Sequence, residues 1–154
     1  YAPMNRPAPL ALAAVALLAL PACSKQKELN VTDAWIRYSP VPSNPSAAYF
    51  TVHGGEQDVN LIDVSTEVAI RSEMHETMKM GNMASMKPVM SVPIPAGSTV
   101  KFEPGGKHVM LYKINPGLKP PKTITLTFAF SNGERIQADA PLVAPGAAGP
   151  NSGK

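Results

Sequence analysis

Cysteine is nearly missing from this chain, with one among 154 residues. That excludes an internal disulfide framework and any structural zinc or iron–sulfur site built on several thiolates. Charged residues are also sparse, at 16%, and the net charge of +3 comes with no long run of lysine or arginine. Nucleic-acid binding through a basic patch therefore finds no support. No apolar run is long enough to cross a bilayer. The longest, LALAAVALLAL at residues 10–20, rises about 1.5 Å per residue as a helix, against a hydrocarbon core of roughly 30 Å. Nothing resembles a Ser-His-Asp set or a paired-carboxylate motif, and Gly105-Gly106 is too short for a phosphate loop. The reading is therefore not an enzyme. Apolar residues still make up 44% of the chain, enough to bury the core of one domain.

What is over-supplied is methionine. There are eight, and Met74, Met78, Met80, Met83, Met86 and Met90 fall within seventeen residues. Composition alone does not say what they are for.

The start of the chain reads as an address. Arg6 precedes the apolar run and small residues follow it, the layout of a secretory signal peptide at residues 1–22. Leu20-Pro21-Ala22-Cys23-Ser24 resembles a bacterial lipobox, in which the cysteine is acylated and becomes the mature N-terminus. Pro21 departs from the small or aliphatic residue usual two places before that cysteine. The expectation is export to the periplasm or cell envelope, with Cys23 as a lipid anchor in the membrane. A plain signal peptide that leaves Cys23 as a stray thiol is the alternative.

From Leu29 onward no stretch keeps a helical period. Short β-branched and aromatic alternation recurs instead, divided by Pro, Gly and Asn-Gly punctuation. Strands are expected at residues 31–38, 47–53, 60–66, 68–75, 86–90, 98–103, 108–114, 123–130 and 134–140. Ser131-Asn132-Gly133-Glu134 reads as a tight hairpin turn. Strands at this spacing predict an all-β domain, an antiparallel β-sandwich or barrel. It spans residues 31–142, after a linker at 23–30 and before a tail at 143–154 whose composition predicts disorder.

Thioether sulfur is a soft ligand suited to Cu(I), and imidazole suits copper in either oxidation state. Neither is lost to a disulfide in an oxidising compartment. A Met-rich stretch is nonetheless more often core or sticky surface than a metal site. Spacing sharpens the choice. His108 and Met110 share one face of an expected strand, while Val109 and Leu111 point the other way, into the sandwich. His75 ends another strand beside the Met-rich loop.

His75, ten intervening residues, Met86, twenty-one more, His108, one more and Met110 match the H-x10-M-x21-H-x-M signature of the PCuAC periplasmic copper chaperones. The strings Met74-His75-Glu76-Thr77-Met78 and Pro104-Gly105-Gly106-Lys107-His108-Val109-Met110-Leu111 are similar to that family, as are Ala34-Trp35-Ile36-Arg37 and Ala48-Tyr49-Phe50-Thr51. The resemblance covers residues 31–142. It implies a cupredoxin-like β-sandwich or Greek-key barrel with one Cu(I) held by His75, Met86, His108 and Met110. It also implies delivery of that ion to the binuclear copper centre of cytochrome c oxidase or to a thiol-bearing assembly factor. A blue-copper site is excluded by residue count, since it needs a cysteine thiolate beside its two histidines. Two neutral imidazoles among the ligands mean that acid should weaken retention.

Two other readings stay open: copper sequestration in the cell envelope, and a lipoprotein whose methionines form an interaction surface without metal. His53 lies outside the signature and reads as an ordinary strand histidine. Glu73 and Glu76 flank His75 and read as solvated strand charges. Met78, Met80 and Met83 are expected in the loop between His75 and Met86, as recruiting ligands or as a partner contact.

Overall fold

The computed structural model describes residue 3, residues 25–147 and residues 149–150. The expected signal peptide at residues 1–22 and the lipidation candidate Cys23 lie outside the described residues, apart from Pro3. Ten strands make up the fold: β1 (Asn30–Arg37), β2 (Ser46–His53), β3 (Val59–Ser65), β4 (Ala69–Met80), β5 (Met83–Pro88), β6 (Val92–Ile94), β7 (Thr99–Phe102), β8 (Lys107–Ile114), β9 (Thr123–Phe130) and β10 (Arg135–Val143). No helix is present among the described residues.

The strands hydrogen-bond in the order β5-β4-β8-β2-β1-β10-β9-β3-β6, with β7 also on β2. Among the described residues every pairing is antiparallel except β1 with β10, which run parallel with Ile36 opposite Leu142. That parallel pair joins the two halves of the sandwich. Alternation puts one face of each strand into the shared core, where Ile36, Phe50, Leu61, Leu111, Leu126 and Phe128 are fully buried.

Phe50 binds the layers together. Its ring stacks on Phe102, its partner across β2 and β7, at 4.3 Å. It also meets Phe128 of the other half edge-on at 4.6 Å. Each such contact is worth about 0.5–1.5 kcal/mol beyond the area it buries.

Two strands differ from expectation in ways that matter for the site. β4 continues to Met80 and turns directly into β5, so Met78, Met80 and Met83 lie in strands rather than in a loop. The turn needs only Gly81 and Asn82, with Met80 opposite Met83, and Gly81 supplies the positive φ of 61° at its first position. β5 is exposed along its whole length. The strand expected at 86–90 catches only its last three residues, since nothing buried marks the others.

β7 and β8 fall where they are expected and follow one another along the same edge of β2. Phe102 pairs with Phe50 and Val109 with Ala48, so six intervening residues on one side face one, Tyr49, on the other. The excess chain lifts away as a turn over residues 103–106, closed by the Gly106 N–H donating to the Glu103 carbonyl at 3.0 Å. Pro104 stands second and Gly105 third with φ of 86°, which are the residues a type II turn requires.

The strand β6 was not foreseen; it is three residues long and has Pro93 at its centre. The hairpin at residues 131–134 forms, as a three-residue loop in which Gly133 takes a φ of 87° and donates to the Phe130 carbonyl. β10 runs to Val143, and beyond it Gly149 lies so close to Trp35 that a Cβ would sit 2.6 Å from the indole.

Candidate metal centre

The four residues of the signature reach one place through strand register alone. His75 of β4 sits directly opposite His108 of β8, and Met110 opposite Glu73. On the other side of β4, Met86 of β5 sits opposite Thr77. Opposed residues share a face and so do residues two apart. His75, His108, Met110 and Met86 therefore all project from one side of the β5-β4-β8 sheet. The reverse side carries Met74, Val109 and Leu111 into the core.

The side chains complete the arrangement. The His75 and His108 rings lie 5.9 Å apart at an interplanar angle of 40°. The Met86 sulfur is 3.2 Å from His108 Nε2. His108 is 6% exposed, whereas Met86 is 58% exposed. A sheltered nitrogen thus meets a sulfur that opens to solvent.

Each imidazole is oriented by its second nitrogen. His108 Nδ1–H donates to the Gly106 carbonyl at 3.0 Å, which leaves Nε2 with its lone pair toward Met86. The same carbonyl accepts the Thr77 backbone N–H at 3.1 Å, so the turn at 103–106 is fastened to β4. His75 Nε2–H donates to Glu73 Oε2 at 3.1 Å. Its Nδ1 is buried and has no hydrogen-bond partner among the described residues. A buried nitrogen left without a partner costs stability unless something else occupies its lone pair. A soft cation would do so.

Glu73 is the residue that sequence reasoning undervalued. Besides His75 it accepts from the Tyr112 hydroxyl at 3.4 Å and pairs with Arg71 Nε at 3.3 Å. The Arg71 guanidinium in turn lies 4.2 Å from the centre of the Tyr112 ring. The hydrogen bond from His75, joined by the charge of Arg71, outweighs partial desolvation and holds the Glu73 carboxyl below its ordinary value. Its position two residues before His75 on the same strand face was the available signal. Glu76 fits its simpler reading, pairing with Lys107 at 3.6 Å.

His53 is far along β2 and its Nε2 bonds the Thr32 hydroxyl at 2.8 Å, away from this cluster. Among the described residues no group of three or more His, Cys, Asp or Glu side chains is assembled to hold a metal ion.

A family model matches residues 29–142, described as "Putative lipoprotein LpqE-like". The chain belongs to the LpqE-like family. A curated relative of this LpqE-like chain, "Putative lipoprotein Lxx21020" of Leifsonia xyli subsp. xyli, is 28% identical over 116 residues. The match takes in 74% of this chain and 69% of that protein.

Solved structures show the same fold. The copper-bound PCuAC domain from PmoF2 superposes with a TM-score of 0.62 at 20% identity, covering 78% of this chain and 96% of that domain. The solution structure of CuI-DR1885 from Deinococcus radiodurans gives 0.63 at 28% identity, over 79% of this chain and 82% of that one. The LpqE-like chain thus has the cupredoxin-like β architecture of PCuAC domains that its sequence led one to expect. No helix among the described residues is long and apolar enough to cross a membrane.

Proposed function

We propose that this protein is a copper chaperone that carries one Cu(I) on the outer face of the β5-β4-β8 sheet, with His75, Met86, His108 and Met110 as ligands. The observation that carries the reading is the meeting of His108 Nε2 and Met86 sulfur at 3.2 Å, with the other His108 nitrogen already committed to Gly106. Two neutral imidazoles and two thioethers suit a soft monovalent ion and add no negative charge. The copper in the PmoF2 and DR1885 structures supports the same cargo here.

An exposed sulfur on an edge strand is a ligand that a partner's thiolate can displace. Delivery to the binuclear copper centre of cytochrome c oxidase, or to a thiol-bearing assembly factor, follows as the role. We assign the copper-binding domain to residues 31–142 and lipid anchoring in the cell envelope to Cys23, after removal of residues 1–22. The lipoprotein names of the family model and the relative support that location.

A Cu(I) titration read by X-ray absorption tests the ligands together. The expected shell mixes nitrogen and sulfur, and a shell without nitrogen would end the four-ligand assignment. Incubating the loaded protein with an apo oxidase copper domain tests the role. Transfer supports delivery; retention where transfer is energetically downhill supports sequestration instead.

A further inference from the structure

Of the methionines outside the signature, three lie on one hairpin: Met78, Met80 and Met83. Met80 and Met83 oppose one another across the two-residue turn, and Met78 lies two residues before Met80 on β4. Alternation therefore puts Met78, Met80 and Met83 on a common face. It is not the face of His75 and Met86. Counting back along β4, it is the side of Met74, which enters the core.

The core does not extend far enough to cover them. β4 pairs with β8 only as far as Glu76 opposite Lys107, and past that point the hairpin has no other strand beside it. Met78, Met80 and Met83 are accordingly 43%, 75% and 78% exposed. Three large apolar side chains on an uncovered ribbon tip gain nothing from burial in this chain. Their placement needs another cause.

Opposed residues on a strand pair have Cβ atoms about 4.5–5.5 Å apart and diagonal ones about 7–8 Å. Each methionine carries a flexible thioether arm with three rotatable bonds. Three such arms rooted at those spacings can bring their sulfurs onto one soft cation beyond the ribbon surface. Neither backbone nor neighbouring strand stands in the way on that side.

We propose that Met78, Met80 and Met83 form a second Cu(I) site, made of thioethers alone, on the reverse face of the β4–β5 hairpin. The identity of the metal rests on the reading of this protein as a Cu(I) carrier. The site is weaker than the first because it has no imidazole and is open to solvent. It lies on the other side of the same two strands that carry His75 and Met86, so an ion captured at the tip has a short path around the edge of β5 to the enclosed site. Thioether sulfur does not take up a proton in the range where imidazole does. Affinity at the second site is therefore independent of pH between about 5 and 7.

The test is a competitive Cu(I) titration of the full mature chain at about pH 7 and about pH 5, with X-ray absorption. Three proteins are compared: wild type, the triple variant M78L/M80L/M83L, and the double variant H75Q/H108Q. Leucine preserves the apolar exposed face and removes the sulfurs, so folding and hydrophobic contact are kept. Wild type is expected to bind about two equivalents at neutral pH, and the triple variant about one. The double variant should keep a weaker, all-sulfur equivalent whose affinity is the same at both pH values. A triple variant that titrates like wild type at both pH values overturns the second site. Failure of the four-ligand reading shows separately, as unchanged nitrogen-containing binding in H75Q/H108Q.

Discussion

His75 and His108 form a directly opposed pair across β4 and β8, their rings 5.9 Å apart on the outer face of the sheet. Nothing but register is required to bring them together, although thirty-two residues separate them in the chain. Because both strands also send Met74, Val109 and Leu111 into the core, a slip of one residue would bury the histidines and expose the core. The energy that fixes the core therefore fixes the proposed metal site as well. Under the proposed assignment, Cu(I) would meet this pair of nitrogens already in place, with Met86 the more exposed partner to be ordered.

That division of labour predicts the outcome of Met86→Leu. Met86 is 58% exposed on an edge strand, so its replacement should leave thermal stability unchanged within about 0.5 kcal/mol. Cu(I) affinity should fall by at least the roughly 10–100-fold typical of losing a metal's supporting residue. Competition with a chromophoric Cu(I) chelator measures it. An affinity equal to wild type would remove Met86 from the shell.

Glu73 should matter to the metal although it does not touch it. It holds His75 through Nε2–H, which leaves Nδ1 as the donor. Glu73→Ala is expected to weaken Cu(I) binding by about 10–100-fold while the absorption edge keeps the same nitrogen and sulfur count. The apo protein offers a second readout. A carboxyl whose folded-state value is lowered lends stability that is complete above its unfolded value and is lost as pH falls through the lowered one. Wild type should thus lose stability in the acid range where Glu73→Ala, lacking that group, loses less.

Much of this was legible from spacing. The alternation of His108, Val109, Met110 and Leu111 gave the correct faces, and eight of the expected strands overlap real ones closely. What stayed hidden depends on tertiary pairing. β5 buries nothing, so the strand expected at 86–90 catches only its last three residues, and the rest of the Met-rich hairpin read as a loop. The strand β6 carries Pro93 and is too short to show alternation. The parallel pairing of β1 with β10 joins segments from opposite ends of the domain, which no local pattern encodes. Glu73 looked like any solvated strand charge until its neighbour Arg71 and the cross-strand Tyr112 were placed around it.

Gly105 links backbone conformation to the metal. Its φ of 86° sets the turn that aims the Gly106 carbonyl at His108 Nδ1. A Cβ at Gly105 would meet nothing within 4 Å, so Gly105→Ala meets no clash and the cost is conformational alone, about 1 kcal/mol. The melting temperature should drop by about 2–6 °C. Copper affinity should fall too, because the turn relaxes and frees the imidazole to rotate. Loss of stability with intact affinity would show that His108 is held by packing and not by the turn.

Acid should release the cargo from the histidine face without unfolding the domain. Both nitrogens must be unprotonated to bind, so each proton taken up competes with the metal. Imidazole groups in general change charge between about pH 5 and pH 8, while thioethers do not. Cu(I) affinity at the four-residue site should therefore decline from about pH 7 to about pH 5, and more steeply than for a variant that keeps one histidine. The slope of affinity against pH counts the competing histidines, with about one decade per pH unit for each that is fully protonated. In M78L/M80L/M83L, where only the histidine site remains, the decline should be seen without an acid-resistant plateau. A flat profile in that variant would show that neither His75 nor His108 is a ligand, whatever the sulfur content of the shell.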